Sequence, residues 1–202
     1  MKDEIILYHP DELTEHIEVR IDEEKETVTE YPGKVKLFNA FKISGRTKKG
    51  LGIGIFNGVT EKMEATIQNN ETGATRKETV EPWTNYNVLV LDQRFRKNSS
   101  VTFVNTNVTR NGEFRDANVS AVLFDLNTKT NTYKLSGNFK FSHVNETAED
   151  LNGYTGYLNF SKTSGKYRFT VNSTYVSNKY DINDMGIMFI NNYHNIYANV
   201  NY

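Results

Sequence analysis

The sequence predicts an all-β protein, an antiparallel up-and-down meander of about ten long strands forming an incomplete transmembrane β-barrel. Three observations predict it. From residue 35 onward, apolar residues recur with period two and never with a helical period. The periodic segments run about 9–12 residues, beyond the usual five or six and long enough for a tilted membrane crossing. Their connections also alternate. Short ones are read at Lys48–Gly50, Lys97–Ser99, Thr128–Asn131, Thr163–Gly165 and Asn191–Tyr193. Long ones are read at Glu61–Thr84, Arg110–Asp116, Val144–Asn152 and Ser177–Asp184. Barrels of the outer membrane place short turns at one rim and long loops at the other.

Residues 1–34 form a first region, acidic and weakly patterned, with clusters at Asp3–Glu4, Asp11–Glu12 and Asp22–Glu24. It reads as a solvated loop or a ragged, partly extended segment. Residues 35–202 form the barrel segment. In its first strand Val35, Leu37, Phe41 and Ile43 share one face, and Lys36, Ala40, Lys42 and Ser44 the other. The turn Thr47–Gly50 follows, with Gly50 free to take positive φ. The second strand sets Leu51, Ile53, Ile55 and Val59 against Gly52, Gly54 and Gly58. Glycine at alternate positions clears one face, as where something packs close.

The clearest strands come later. In Thr132–His143, the face of Tyr133, Leu135, Phe139 and Phe141 opposes that of Lys134, Ser136, Asn138, Lys140 and Ser142. In Lys166–Val176, Tyr167, Phe169, Val171 and Tyr175 oppose Arg168, Thr170, Asn172 and Thr174. Such strands are half buried, on a protein core or in lipid. A soluble sandwich is the competing architecture, but consecutive hairpins without a crossover disfavour its Greek key. Aromatics recur near strand ends, at Tyr133, Tyr154, Tyr167, Tyr175, Tyr197 and Tyr202, as interfacial girdles require. A terminal strand carries Ile196, Ala198, Val200 and Tyr202. Ten strands could close on themselves, or form an open curved sheet with exposed edges.

Composition excludes several classes. The 202 residues carry a formal net charge of −1 and no cysteine. Nothing basic and interleaved with aromatics predicts a nucleic-acid groove, and thiolate chemistry is absent. The mean hydropathy is −0.62, with no apolar run of helix-spanning length, which leaves a barrel open because half of each strand faces a polar lumen. Met1–Pro10 does not read as a secretion signal. An outer-membrane protein needs one, so either the barrel reading fails or the chain is an internal piece of a longer protein.

No catalytic constellation is found, so no enzyme activity, metal or cofactor is expected. His9, His16, His143 and His194 show no ligand spacing, and His143 reads as an interfacial or loop residue. Asp181–Asp184 gathers oxygen donors but lacks the spaced calcium pattern, so an Asx-turn is expected. Asn69–Gly73 reads as a turn, and Gly50–Gly54 lacks the helix that a phosphate loop needs. What remains is the polar strand face. Lys42, Lys134, Asn138, Lys140, Arg168, Asn172 and Asn199 are the candidate lumen-facing residues. They either pair with lumen carboxylates and a plug, or form a weakly cationic, amide-rich lining for polar solutes or saccharides.

Several stretches carry a family resemblance. They are Asn39–Thr60, Thr84–Val88, Leu91–Gln93, Asn98–Val101, Asn105–Arg110, Asp116–Val119, Ser161–Gly165 and Asp181–Gly186. Over roughly residues 35–195 the chain resembles an uncharacterised Gram-negative envelope family, a domain of unknown function found C-terminal to family-9-type carbohydrate-binding domains. The resemblance implies an outer-membrane β-barrel fragment, with a signal peptide, a carbohydrate-binding module and further strands elsewhere in the protein. The strand faces and the loop asymmetry, not the resemblance, lead to the expected role, a transport, binding or anchoring module in contact with the lipid bilayer. The alternatives are a soluble carbohydrate-binding β-sandwich, or part of an envelope glycoside hydrolase whose activity lies outside this segment.

Overall fold

The computed structural model describes residues 4–7, 17–22, 24–146 and 149–202. His9, His16 and the clusters Asp3–Glu4 and Asp11–Glu12 lie wholly or partly outside the described residues. The strands, in chain order, are β1 (Glu4–Leu7), β2 (Ile17–Arg20), β3 (Glu26–Glu30), β4 (Leu37–Arg46), β5 (Leu51–Thr60), β6 (Met63–Asn69) and β7 (Thr75–Glu81). They continue with β8 (Thr84–Phe95), β9 (Ser99–Arg110), β10 (Asp116–Asn127), β11 (Tyr133–Asn145), β12 (Asp150–Lys162), β13 (Arg168–Val176) and β14 (Tyr193–Asn201). The fold is all β, built of antiparallel sheets. No helix among the described residues is long and apolar enough to cross a membrane, which says nothing about a barrel.

The chain divides into two compact units. The smaller takes residues 1–39, 59–84 and 110–112. It holds a β1–β2 pair and a sheet of order β3–β6–β7. Met63, Ala65 and Ile67 alternate with Glu64, Thr66 and Gln68, so β6 presents one apolar face to a small core of Ile21, Ala65, Ile67 and Val80. Arg76 ties the sheet together, bonding Glu26 at 2.9 Å and also Glu78. Asn69 closes the β6–β7 turn by accepting the Glu71 and Thr72 amides at 3.0 and 2.9 Å. One expectation is corrected here. The stretch read as a long loop, Glu61–Thr84, contains this hairpin. Within the acidic first region, read as a loop or a partly extended segment, Glu26–Glu30 forms β3.

The larger unit takes residues 40–58, 85–109 and 113–202. Its strands belong to a sheet of order β14–β13–β12–β11–β10–β9–β8–β5–β4. Nine strands, not ten, make this meander. The missing one was expected near Met185–Ile190, where the structure has only turn and coil. Residues 177–192 are therefore a single long connection, and Asn191–Tyr193 is no hairpin turn. The sheet is open. β4 and β14 are its edges and do not pair, so the described residues form no closed barrel. The alternation of loop lengths also narrows. Connections 111–115 and 146–149 are about as short as 128–132 and 163–167, leaving the asymmetry to 61–83 and 177–192. Gly50 takes φ 89° in its turn, as expected.

Register defines two faces. On one face Phe103, Val122, Phe139, Gly156 and Tyr175 lie in one row across β9–β13. Val101, Phe124, Gly137 and Leu158 lie in the next. The other face carries Asp125, Ser136, Asn159 and Asn172 in one row, and Asn127, Lys134, Ser161, Thr170 and Asn199 in another. Accessibility is inverted relative to a soluble sheet. On β12 the apolar Tyr154, Leu158 and Phe160 are 46%, 52% and 43% exposed, whereas Thr155, Asn159 and Ser161 are 7%, 8% and 6% exposed. Among the described residues of this unit, no second sheet covers the apolar face.

Candidate functional site

The polar face brings together most of the residues read from the sequence. Lys134, Asn138 and Lys140 follow one another on β11, and register places Asn172 and Asn199 on the same side of the sheet. Arg168 pairs with Asn201 at the end of β13. Lys42 shares its side of β4 with Arg46. Cations of this face pair with its carboxylates. Lys134 Nζ lies 2.6 Å from Asp125, and Arg46 Nη2 lies 2.5 Å from Asp92, which also accepts from Thr102 at 2.9 Å. Arg46 reaches its partner across Gly52, where an added Cβ would stand 2.7 Å from the guanidinium. The cleared glycine face of β5 thus has a specific use. Lys140 stands between Ala121 and Thr155, its cross-strand neighbours.

The long connection 177–192 supplies the most closely packed part of this face. Tyr180 is buried, and its backbone presses on Gly153 so tightly that a Cβ there would lie 2.2 Å from the Tyr180 Cα. The Asp181 amide donates to Ser142 Oγ at 3.1 Å, and Ser142 is fully buried. Ile182 and Met185 adjoin Thr106, Val108, Ala117 and Val119, leaving a cavity of only about 10 Å³. Val108, Val144 and Ser142 are the unit's largest fully buried side chains among the described residues. The Asx-turn is present, with Asn183 N–H donating to Asp181 Oδ1 at 2.8 Å. Beyond it Ile187, Phe189 and Ile190 are exposed, Phe189 almost wholly.

Arg115, just before β10, fastens this connection. Its Nη2 donates to Asp184 Oδ2 at 2.6 Å and Asp181 Oδ2 at 2.8 Å, its Nε to Asp184 Oδ2 at 3.1 Å, and its Nη1 to Glu146 at 3.0 Å. A planar fork of charged donors suits three converging carboxylates better than a lysine would. Burial works against the Arg115 charge, but Asp184 and Asp181 outweigh it and raise the guanidinium above its ordinary value. Burial likewise pushes the Asp181 carboxyl up, yet the Asn183 amide and Arg115 prevail and hold it below the usual carboxylate range. Burial alone pushes the Tyr180 phenol up to about 12.

The signs fix a pH window. A depressed carboxyl contributes in full above its unfolded value of about 4, and loses that contribution as pH falls through its lower folded value. A raised phenol contributes below about 10 and loses its share as pH climbs toward the folded value. An environment-sensitive fluorophore on Phe189→Cys should give a flat signal from pH 5 to 9, shift in stronger acid, and shift again in strong alkali. A transition near pH 6 would contradict this latch.

The apolar face has chemistry that sequence reasoning missed. Beyond the row Asn105–Ser120–Phe141–Tyr154 lies an entirely polar row, Asn107–Asn118–His143–Asn152. Asn105 Nδ2 donates to Asn118 at 3.0 Å and Ser120 at 2.9 Å, and His143 Nδ1 lies 2.9 Å from Asn152. Asn57 on β5 extends the motif, bonding Asn85 and Asn87 at 2.5 and 2.8 Å. These amides share a face with Phe103 and Val122, so period two alone placed them while only register showed the belt. Aromatics group at two levels on this face. Phe139, Tyr154 and Tyr175 stack at one, with successive centroids 6.4 and 5.6 Å apart. Tyr133, Phe160 and Phe169 meet at the other. Tyr197 pairs with Asn172 and so belongs to the polar face, not to a girdle. A hollow of about 350 Å³ opens beside Gly156, walled by Val122, Phe124, Phe139 and Leu158.

Neither a curated protein nor a solved structure matches the chain. A family model described as a domain of unknown function (DUF5916) matches residues 11–202. With nearly the whole length matched, the chain belongs to that family.

Proposed function

We propose that this domain is a stretch of wall of an outer-membrane β-barrel, serving as a transport, binding or anchoring module of an envelope protein associated with carbohydrate binding. The observation that carries the reading is the inverted exposure of β9–β13, apolar side chains outward and polar ones shielded. In water such a face is an aggregation hazard, whereas in hydrocarbon it is the solvated side. The apolar band supports it quantitatively. From Tyr133 to Phe141 it runs about 26 Å along the strand at ~3.3 Å per residue. Tilted by ~40°, this is about 20 Å of height, near the ~25 Å band of known barrels in a thin outer membrane. The two aromatic levels and the amide belt then sit where headgroups and water meet. The mostly apolar hollow beside Gly156 lies on the same lipid-facing side.

In this reading the lipid bilayer is the partner of the apolar face. The lumen side is that of Lys42, Lys134, Asn138, Lys140, Arg168, Asn172 and Asn199, which meets polar solutes or saccharides. No catalytic role, cofactor or nucleic acid is assigned. The test is refolding of the full chain with phosphatidylethanolamine and phosphatidylglycerol vesicles. Co-flotation with lipid and protease protection of β9–β13 are the expected results. A folded monomer that stays in detergent-free buffer would overturn the reading, and polysaccharide binding by that monomer would replace it with a soluble carbohydrate-binding domain.

A further inference from the structure

We infer that residues 177–192 form a strap that folds onto the polar face and constricts the passage which that face encloses. The inference rests on the membrane-wall reading above. Three independent features carry it. The strap crosses the sheet laterally, from Gly153 on β12, past Ser142 on β11, to the Val119, Ala117, Val108 and Thr106 neighbourhood of β10 and β9. That path covers four strands, about 15 Å at ~4.8 Å per strand. Second, the wall is shaped for it. Gly153 admits the Tyr180 backbone where any side chain would collide, and Ser142, fully buried on a strand, spends its hydroxyl on the Asp181 amide. A connection that merely looped away from the sheet would need neither. Third, Arg115 pins the strap from another element by bonding Asp181 and Asp184, and Asp184 is itself well buried.

A loop lying across the polar side of a barrel wall reduces its cross-section, and barrel lumens plugged by loops are a known variation of open aqueous ones. The strap adds a lock to that geometry. Its hold comes from one guanidinium shared among carboxylates and from the packing of Ile182 and Met185, so loss of Arg115 frees it without touching the wall.

The experiment is single-channel recording, in planar bilayers, of the complete protein whose barrel this wall helps to close. Three proteins are compared: wild type, a variant with residues 179–189 replaced by a short glycine-asparagine turn, and Arg115→Gln. Insertion is checked for each by the heat-dependent shift in gel mobility. The shortened variant should conduct at least about two-fold more than wild type, as an unplugged lumen does. Arg115→Gln should flicker between the two levels. Val119→Cys with Ile182→Cys, added to Arg115→Gln, should stop the flicker on oxidation and restore it with dithiothreitol. Hydrogen exchange supplies a second readout, with the Asp181 amide protected in wild type and fast in Arg115→Gln. An inserted shortened variant with unchanged conductance would overturn the strap while leaving the membrane reading intact. Failure of wild type itself to insert would sink both.

Discussion

Leu158→Arg is expected to destabilise the protein in lipid vesicles by about 2–4 kcal/mol, the cost of a charged side chain on the lipid face near the bilayer midplane. Leu158 is the right site because its row, shared with Gly137, is the middle row of the band from Tyr133 to Phe141. An arginine one row from either rim could snorkel to the headgroups and escape much of this cost. At Leu158 both rims are about 13 Å away along the strand at ~3.3 Å per residue. The polar face offers the control. Asn138→Arg puts the same charge one residue from Gly137 but on the shielded polar side, where substitutions act on selectivity and not on stability.

The two environments give opposite answers. Leu158 is half exposed, and for an exposed residue of a water-soluble protein such a change falls within about ±0.5 kcal/mol. Guanidinium unfolding in vesicles, followed by far-UV circular dichroism and gel mobility, separates the outcomes. A loss near 3 kcal/mol is a factor of more than 100 in the folding equilibrium at 1.4 kcal/mol per tenfold, well above measurement error. Equal stability of Leu158→Arg and Asn138→Arg would mean that the apolar face does not meet hydrocarbon.

The strands that were plain in the sequence are those whose neighbours do not matter. Tyr133–Asn145 and Arg168–Val176 alternate so cleanly that period two fixes both the element and its faces, and register then only confirms which side Lys140 or Asn172 occupies. Met63–Asn69 alternated just as clearly, with Asn69–Gly73 as its turn, but it is short and was absorbed into a long loop. The connection 177–192 illustrates the opposite case. Ile187, Met188, Phe189 and Ile190 form an apolar run that reads locally as a strand, but they pair with no strand, and the residues before them, Tyr180 to Asp184, are held by Gly153 and Arg115, both distant in sequence. Arg115, Ser142, Gly153 and Tyr180 were missed for the same reason. Each is unremarkable among its sequence neighbours, and only the fold brings them together. The mid-strand glycine was the one available signal, because a strand interior gains nothing from glycine unless another backbone approaches.

Gly153→Val is the second substitution expected to have a large effect, and it turns that signal into a test. The strand itself tolerates the change, since valine is among the best strand formers and β12 is paired on both sides. What it cannot accommodate is Tyr180. A Cβ at position 153 stands 2.2 Å from both the Cα and the N of Tyr180, and these are backbone atoms that no rotamer change can move aside. The strap must therefore lift. Lifting uncovers Val108, takes Asp181 from Ser142, and takes Asp181 and Asp184 from Arg115. Re-exposing one buried aliphatic side chain costs roughly 1.5–3 kcal/mol locally, before the lost hydrogen bonds are added. The meander itself, held by cross-strand backbone bonds, should survive. Far-UV circular dichroism and the heat-dependent gel shift should stay as in wild type. Cleavage by trypsin at Lys179, and hydrogen exchange at Asp181, should both speed up by an order of magnitude or more at ~1.4 kcal/mol per factor of ten. Gly153→Ala should give a similar result, because the clash arises at the first carbon. A strap that stays seated over either variant would show that Tyr180 does not need the gap that Gly153 leaves.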